Sequence, residues 1–331
     1  MNVLITGGSG FLGSRLAREL LEAGSIAADG QDAAPLSALT LVDNAPAPPD
    51  LAADDRVTVL HGDLAQVLAD ESAGPPTVAG ADVIFHLAAA VSAECEADFD
   101  LGIRANLRGT ESLLAACRRQ GRVPLVVFAS SAAVFGASAD HPLPAVVDDQ
   151  TLPNPQSSYG TQKVMAEYLL ADYTRKGYVR GRAVRLMTVV VRPGQPNAAA
   201  SGFLSGIIRE PLAGLRATCP VSPDTAAAVA SPALTVAGLL TAAGASEARW
   251  GGLSAMNMPA LAVTVADMIA ALERAAGPAA TALIDRVPDA RIAGIVSSWP
   301  ARFQSDRAAR LGLVRDPDFD SIIAMHLAEM T

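Results

Sequence analysis

The chain has 331 residues, half of them hydrophobic, with 18% charged and only 4% aromatic. That apolar content, at a length suited to one large or two modest domains, can offset the ordering entropy of the backbone and excludes disorder as the main state. The 34 acidic side chains outnumber the 25 basic ones, leaving a net charge of −9 that argues against nucleic acid or an anionic membrane surface as partner.

Short β-branched runs alternate with longer helical patterns through the first half, the pattern of a doubly wound parallel sheet. Strands are predicted at Asn2–Thr6, Leu39–Asp43, Val57–His61, Asp82–Leu87, Leu125–Ala129 and Ala183–Val191. Helical patterns begin near Phe11, Asp98 and Tyr159. Several strands are almost continuously apolar, as suits strands covered on both faces.

The first strand runs straight into Thr6-Gly7-Gly8-Ser9-Gly10-Phe11-Leu12-Gly13 and a helix. Gly7 permits the tight turn, Gly10 allows a pyrophosphate to approach, and Gly13 lets helix and strand pack closely. Amides at the helix start, Phe11 and Leu12 among them, then face the phosphates with the positive end of the helix dipole behind them. Ser25 to Ala38 reads as a surface loop or hairpin insertion. Beyond it, Asp43 ends the second strand, where a carboxylate bonds ribose hydroxyls and repels a 2′-phosphate, favouring NAD over NADP. Gly62-Asp63-Leu64 follows the third strand, and Asp63 either meets the adenine amino group or caps a helix.

His86-Leu87-Ala88-Ala89-Ala90 ends the fourth strand with small residues that let backbone pass under a cofactor. His86 itself reads as a satisfied buried histidine. Asn106 bonds either the cofactor or a nearby backbone, and the sequence leaves both open. The fifth strand ends in Ser130-Ser131, of which Ser131 is preferred as the hydroxyl that contacts a substrate oxygen, with Ser130 in competition.

Tyr159-Gly160-Thr161-Gln162-Lys163 places a phenol and an ammonium one helical turn apart. At ~4 Å and an effective dielectric near 20 such a pair is worth about 4 kcal/mol, roughly 3 pKa units, which brings the phenol towards the range of a general base. Only two lysines occur, Lys163 and Lys176; Lys176 is expected on a solvated helix end. The scattered Cys95, Cys117 and Cys219, without any C-x-x-C, read as reduced thiols, and the four histidines show no metal-ligand spacing. No metal, membrane span or signal peptide is expected, and the chain reads as a soluble cytoplasmic protein.

Taken together, the glycine run Thr6 to Gly13, Asp63, His86-Leu87-Ala88-Ala89, Ser131 and Tyr159-x-x-x-Lys163 resemble an extended short-chain dehydrogenase/reductase of the NAD-dependent epimerase/dehydratase family. The resemblance implies a Rossmann-type α/β fold with a smaller C-terminal substrate lobe, and NAD as cofactor. It assigns Ser131 and Tyr159 to the reacting hydroxyl, and Lys163 to the ribose and to tuning Tyr159. On this reading residues 1–191 bind NAD and 192–331 are mainly substrate-binding, with part of 225–260 returning to the first domain. It also implies a homodimer through helices that include the Tyr159 one.

Phe128 to Gly136, Arg185 to Asn197 and Gly206 to Gly214 further resemble a group within the family that oxidises the C2 hydroxyl of D-erythronate, a four-carbon sugar acid. Met187 stands where that group would have proline, and Phe135 where many sugar-nucleotide members have tyrosine. An anionic sugar acid needs a cationic partner, for which Arg192 and Arg209 are the candidates; Asn197 and Ser222 are further substrate-side candidates. The competing expectations are a sugar-nucleotide epimerase or dehydratase with tightly held NAD, and a non-catalytic NAD-sensing protein.

Overall fold

Val3, Leu4 and Ile5 are each at most 2% exposed, because helices cover both faces of the strand they occupy. A computed structural model describes residues 1–69, 78–194 and 200–330. Its main sheet contains β1 (Asn2–Thr6), β2 (Ala38–Asp43), β3 (Val57–His61), β4 (Val83–His86), β5 (Leu125–Ser131) and β6 (Arg180–Leu186). After β7 (Thr188–Val189) and β8 (Ala226–Ala230), the chain returns to this sheet as β9 (Met256–Asn257). The seven strands run in the order β9-β6-β5-β4-β1-β2-β3, all parallel.

Alternate residues of each strand serve opposite layers. Val3, Ile5, Val83, Phe85 and Val127 pack with Leu16 and Leu20 of α1 (Phe11–Ala23). Leu4, Ile84, Val126 and Phe128 pack with Leu113 and Leu114 of α2 (Gly109–Gln120) and with Ala166 and Leu170 of α3 (Ser158–Arg175). This two-sided burial makes a doubly wound α/β sheet.

The segment predicted as one strand, Ala183–Val191, divides instead. β6 ends at Leu186, and Thr188–Val189 pairs with β8 in a separate three-stranded sheet completed by β10 (Leu261–Thr264). No turn residue marks the break, and buried apolar side chains lie on both sides of it: Val184 and Leu186 before, Val190 and Val191 after. The helix expected near Asp98 is likewise in pieces: Ser92–Ala97, Phe99–Gly102, a π-helical stretch Ile103–Arg108, then α2.

A second core gathers Val190, Val191 and the Leu204, Ile207 and Ile208 face of α4 (Gly202–Leu212) against Met268, Phe319 and Ile322. The Ser25 to Ala38 insertion is a hairpin pairing Ser25–Ile26 with Ala34–Pro35. It docks on α5 (Pro232–Gly244): the Asp29 and Gly30 amides donate to Ala243 and Gly244 carbonyls at 2.8 and 2.9 Å. Lys176 follows α3 and is exposed. The three cysteines are free and buried. Among the described residues no helix is long and apolar enough to cross a membrane, and no group of His, Cys, Asp or Glu could hold a metal ion.

Candidate active site

β1, β4, β5 and β6 end on one edge of the sheet, and a cavity of about 290 Å³ opens there between the sheet and the second core. Its lining includes Gly7, Gly10, Phe11, Leu12 and Gly13 from the first turn, Leu87 and Ala89 after β4, and Ser131, Tyr159, Lys163 and Arg192.

The glycine turn fits a dinucleotide by its shape. Gly7 has φ +73°, and a Cβ there would lie 2.7 Å from the Ala88 amide nitrogen; at Gly13 it would lie 2.1 Å from the Gly7 carbonyl oxygen. At Gly10 a Cβ would lie 3.2 Å from the Gly7 carbonyl oxygen, a tight contact within the same turn. The first turn of α1 contains no acidic side chain, and its N-cap makes no side-chain hydrogen bond, so its leading amides suit an anion. The Ser9 hydroxyl is buried in the same loop without a partner among the described residues.

Asp43 bonds the loop directly: its carboxylate accepts from the Ser9, Gly10 and Ala45 amides at 3.0, 3.2 and 2.9 Å. Asp63 accepts from Ala65 and Gln66 amides at 3.0 and 3.4 Å, the helix-capping geometry, while Leu64 packs against the α2 side of the sheet. His86 sits between the Thr6 and Thr110 hydroxyls at 2.6 and 2.9 Å, and burial, with the Lys163 charge, pushes it down to about 3. It is a neutral structural histidine.

Of the two partners left open for Asn106, the structure shows the backbone. Its amide accepts from Ala90 N at 2.8 Å and donates to Ala90 O at 3.2 Å and to Gln162 Oε1 at 2.8 Å. Asn106 thereby ties the loop after β4 to α3, and it does not line the cavity.

The serine pair resolves by partner. Ser130 donates to Glu167 Oε1 at 2.5 Å and is buried, whereas the Ser131 hydroxyl faces the Tyr159 phenol and lowers its pKa. Lys163 donates to the Ala129 carbonyl at 2.8 Å, and burial brings it down to about 8. The expected strong lowering of Tyr159 by Lys163 is not found. Burial pushes the phenol up to about 12, and the groups that oppose this are Ser131 and the Arg192 charge. The lysine's ammonium is spent on strand β5, so desolvation outweighs its attraction for phenolate.

The two candidate arginines part company. Arg192 lines the cavity, its Nη2 is buried without a partner among the described residues, and desolvation and the Arg209 charge lower its pKa. Arg209 does not line the cavity; it donates to the Arg192 carbonyl at 2.6 Å and to Glu210 at 2.5 Å. That corrects the expectation that both face substrate, because the structural ion pair takes up Arg209. Ser222 accepts from the Asp224 amide at 3.4 Å in an exposed turn outside the cavity. Asn197 lies outside the described residues.

Sequence reasoning missed one wall, formed by Val296, Trp299 and Pro300 at the end of α7 (Ala290–Ser297; α6 is Val265–Ala276). It is stitched to the segment after β5 by Ala137 N to Ser298 O at 3.0 Å and by Val147 N to Arg302 O at 2.9 Å. The Trp-Pro pair at 299–300 was the available signal.

Three comparisons bear on this geometry. Residues 3–224 match the NAD dependent epimerase/dehydratase family. D-erythronate dehydrogenase from Cupriavidus necator is 49% identical over 329 residues, covering 99% of this chain and 98% of that protein. D-erythronate dehydrogenase from Haemophilus influenzae is 40% identical over 325 residues, covering 98% of each. Among solved structures, the nucleoside-diphosphate-sugar epimerase from Agrobacterium tumefaciens has a TM-score of 0.87 at 39% identity, covering 99% of this chain and 94% of that one.

Proposed function

The chain belongs to the NAD-dependent epimerase/dehydratase family, and from that premise we propose that it oxidises the C2 hydroxyl of a four-carbon sugar acid, D-erythronate, to the 2-oxo acid. One observation carries the reading: Arg192 lines the same cavity as Ser131, Tyr159 and Lys163, and its guanidinium keeps a buried nitrogen that has no hydrogen-bond partner among the described residues. A carboxylate is the group that a desolvated, unpaired guanidinium takes best. The D-erythronate dehydrogenases support the choice of acid.

NAD, when bound, supplies the acceptor for the hydride that leaves C2. Gly7, Gly10, Gly13 and the Phe11 and Leu12 amides would hold its pyrophosphate, Asp43 its adenosine ribose and Lys163 its nicotinamide ribose, with Asp63 and Leu64 towards adenine and Leu87 to Ala89 beneath. Asn106 serves that site as a positioning residue. Arg192 holds the substrate carboxylate, Ser131 orients the C2 oxygen, and Tyr159 receives its proton at the phenol oxygen. A phenol near 12 keeps its own proton in the ligand-free chain. A cation brought beside the phenol favours release of that proton to solvent, and the phenolate left behind then takes the proton of the C2 hydroxyl. The protein thus contributes orientation and charge.

The same reading includes a cytoplasmic homodimer packed through helices including α3. Phe99 and Tyr168, on the helical segments concerned, are 62% and 64% exposed, and light scattering tests the assembly. The catalytic reading is tested by supplying D-erythronate with free NAD and following NADH, beside UDP- and TDP-sugar controls. Net NADH from the acid alone supports it. Sugar-nucleotide conversion without net NADH, as the Agrobacterium neighbour's name would suggest for that protein, replaces it.

A further inference from the structure

Glu167 lies one helical turn beyond Lys163 and two beyond Tyr159, and it is buried at 7% exposure beside Arg185 at 5%. Arg185 Nε and Nη2 donate to its two oxygens at 2.9 and 2.7 Å. The guanidinium also lies 4.8 Å over the Phe135 ring and reaches Asn257 Oδ1 at 3.4 Å, and Asn257 donates to the Asp148 carbonyl at 2.9 Å. A buried pair of this kind is weak evidence for stability, because desolvation offsets most of its attraction. Its geometry suggests another use.

Three successive residues of β5 meet three successive turns of α3. Ala129 accepts from Lys163 at 2.8 Å, Ser130 donates to Glu167 at 2.5 Å, and Ser131 faces Tyr159. We propose that Glu167, clamped by Arg185, is a positioning residue for the reaction: by gripping Ser130 it fixes Ser131 against the Tyr159 phenol. This rests on the reading of Ser131 and Tyr159 as the proton-handling pair, and not on which acid is oxidised.

Ser130→Ala and Glu167→Gln test it in the full chain, with Tyr159→Phe as control. Ser130→Ala removes one hydroxyl and leaves the ion pair in place, so it decides the matter even if Glu167→Gln fails to fold. Misplacement of reacting groups by a fraction of an ångström predicts a kcat loss of about 10- to 100-fold. The KM for the acid and the NAD dissociation constant should stay within about twofold.

Among the described residues, the groups facing Lys163 are Cys95 from the segment after β4, His86 from β4, and Tyr159 and Glu167 on α3, with Arg185 of β6 behind the glutamate. Glu167 is the one carboxylate among them. Glu167→Gln should therefore move the alkaline limb of the kcat profile to lower pH. Parent-like kcat in Ser130→Ala while Tyr159→Phe is inactive overturns the positioning role alone. Turnover retained in Tyr159→Phe overturns the acid–base reading and this inference with it.

Discussion

Lys163 stands 5.6 Å from the centre of the Tyr159 ring while its ammonium bonds the Ala129 carbonyl at 2.8 Å. The pair is close enough to act together, yet desolvation holds the phenol near 12. Tyr159→Phe should lower kcat by roughly 10²- to 10⁴-fold, the usual worth of a positioned acid–base group. NAD binding, measured by calorimetry, should survive, since the glycine turn and Asp43 are untouched.

The lysine carries a stability cost that is itself testable. Its folded pKa of about 8 lies below the ordinary 10.5. Its contribution to stability is therefore fully present above pH 10.5 and is lost as pH falls through about 8. A shift of that size corresponds to about 3 kcal/mol at neutral pH, part of which the Ala129 bond recovers. Lys163→Met should therefore be inactive and yet more stable at pH 7 by about 1–2 kcal/mol in denaturant titrations. The gap should narrow towards pH 10, and a less stable variant at pH 7 would contradict the burial argument.

Strand positions were legible because two-sided burial writes itself into runs such as Leu125-Val126-Val127-Phe128, each at most 2% exposed. The glycine turn was legible because Gly7 and Gly13 have no room for a side chain. Tyr159 and Lys163 could be placed on one face by helical spacing alone. What could not be read depends on contacts distant in sequence. Nothing in Ala183–Val191 marks the point at Met187 where the chain leaves the main sheet, and the two arginines look alike until Glu210 is seen to occupy Arg209. Desolvation of the phenol overrides Coulomb attraction, and the Trp299 wall that shares its cavity is held there by bonds from the Ala137 and Val147 amides to the Ser298 and Arg302 carbonyls.

Arg192 should govern affinity for the acid. Loss of a charge-assisted bond of about 1.5–3 kcal/mol predicts a 10- to 100-fold lower kcat/KM for the acid in Arg192→Ala. The KM for NAD should hold. Arg192→Lys should recover little, because a point charge cannot replace the planar two-pronged donor.

Asp43 should govern cofactor choice. Its carboxylate orders the glycine loop through the Ser9 and Gly10 amides, and its charge opposes a 2′-phosphate. Asp43→Ser is expected to weaken NAD and to lower the preference for NAD over NADP by about tenfold, ~1.4 kcal/mol. Steady-state kinetics with both cofactors measure this; an unchanged ratio would remove Asp43 from the ribose site.

The central claim is that hydrogen leaves C2 of a sugar acid for NAD. D-erythronate carrying deuterium at C2, supplied with unlabelled NAD, tests it most directly by mass spectrometry of both products. The account predicts deuterium in the NADH and an unlabelled 2-oxo acid. NADH without the label, or no NADH at all, would contradict it.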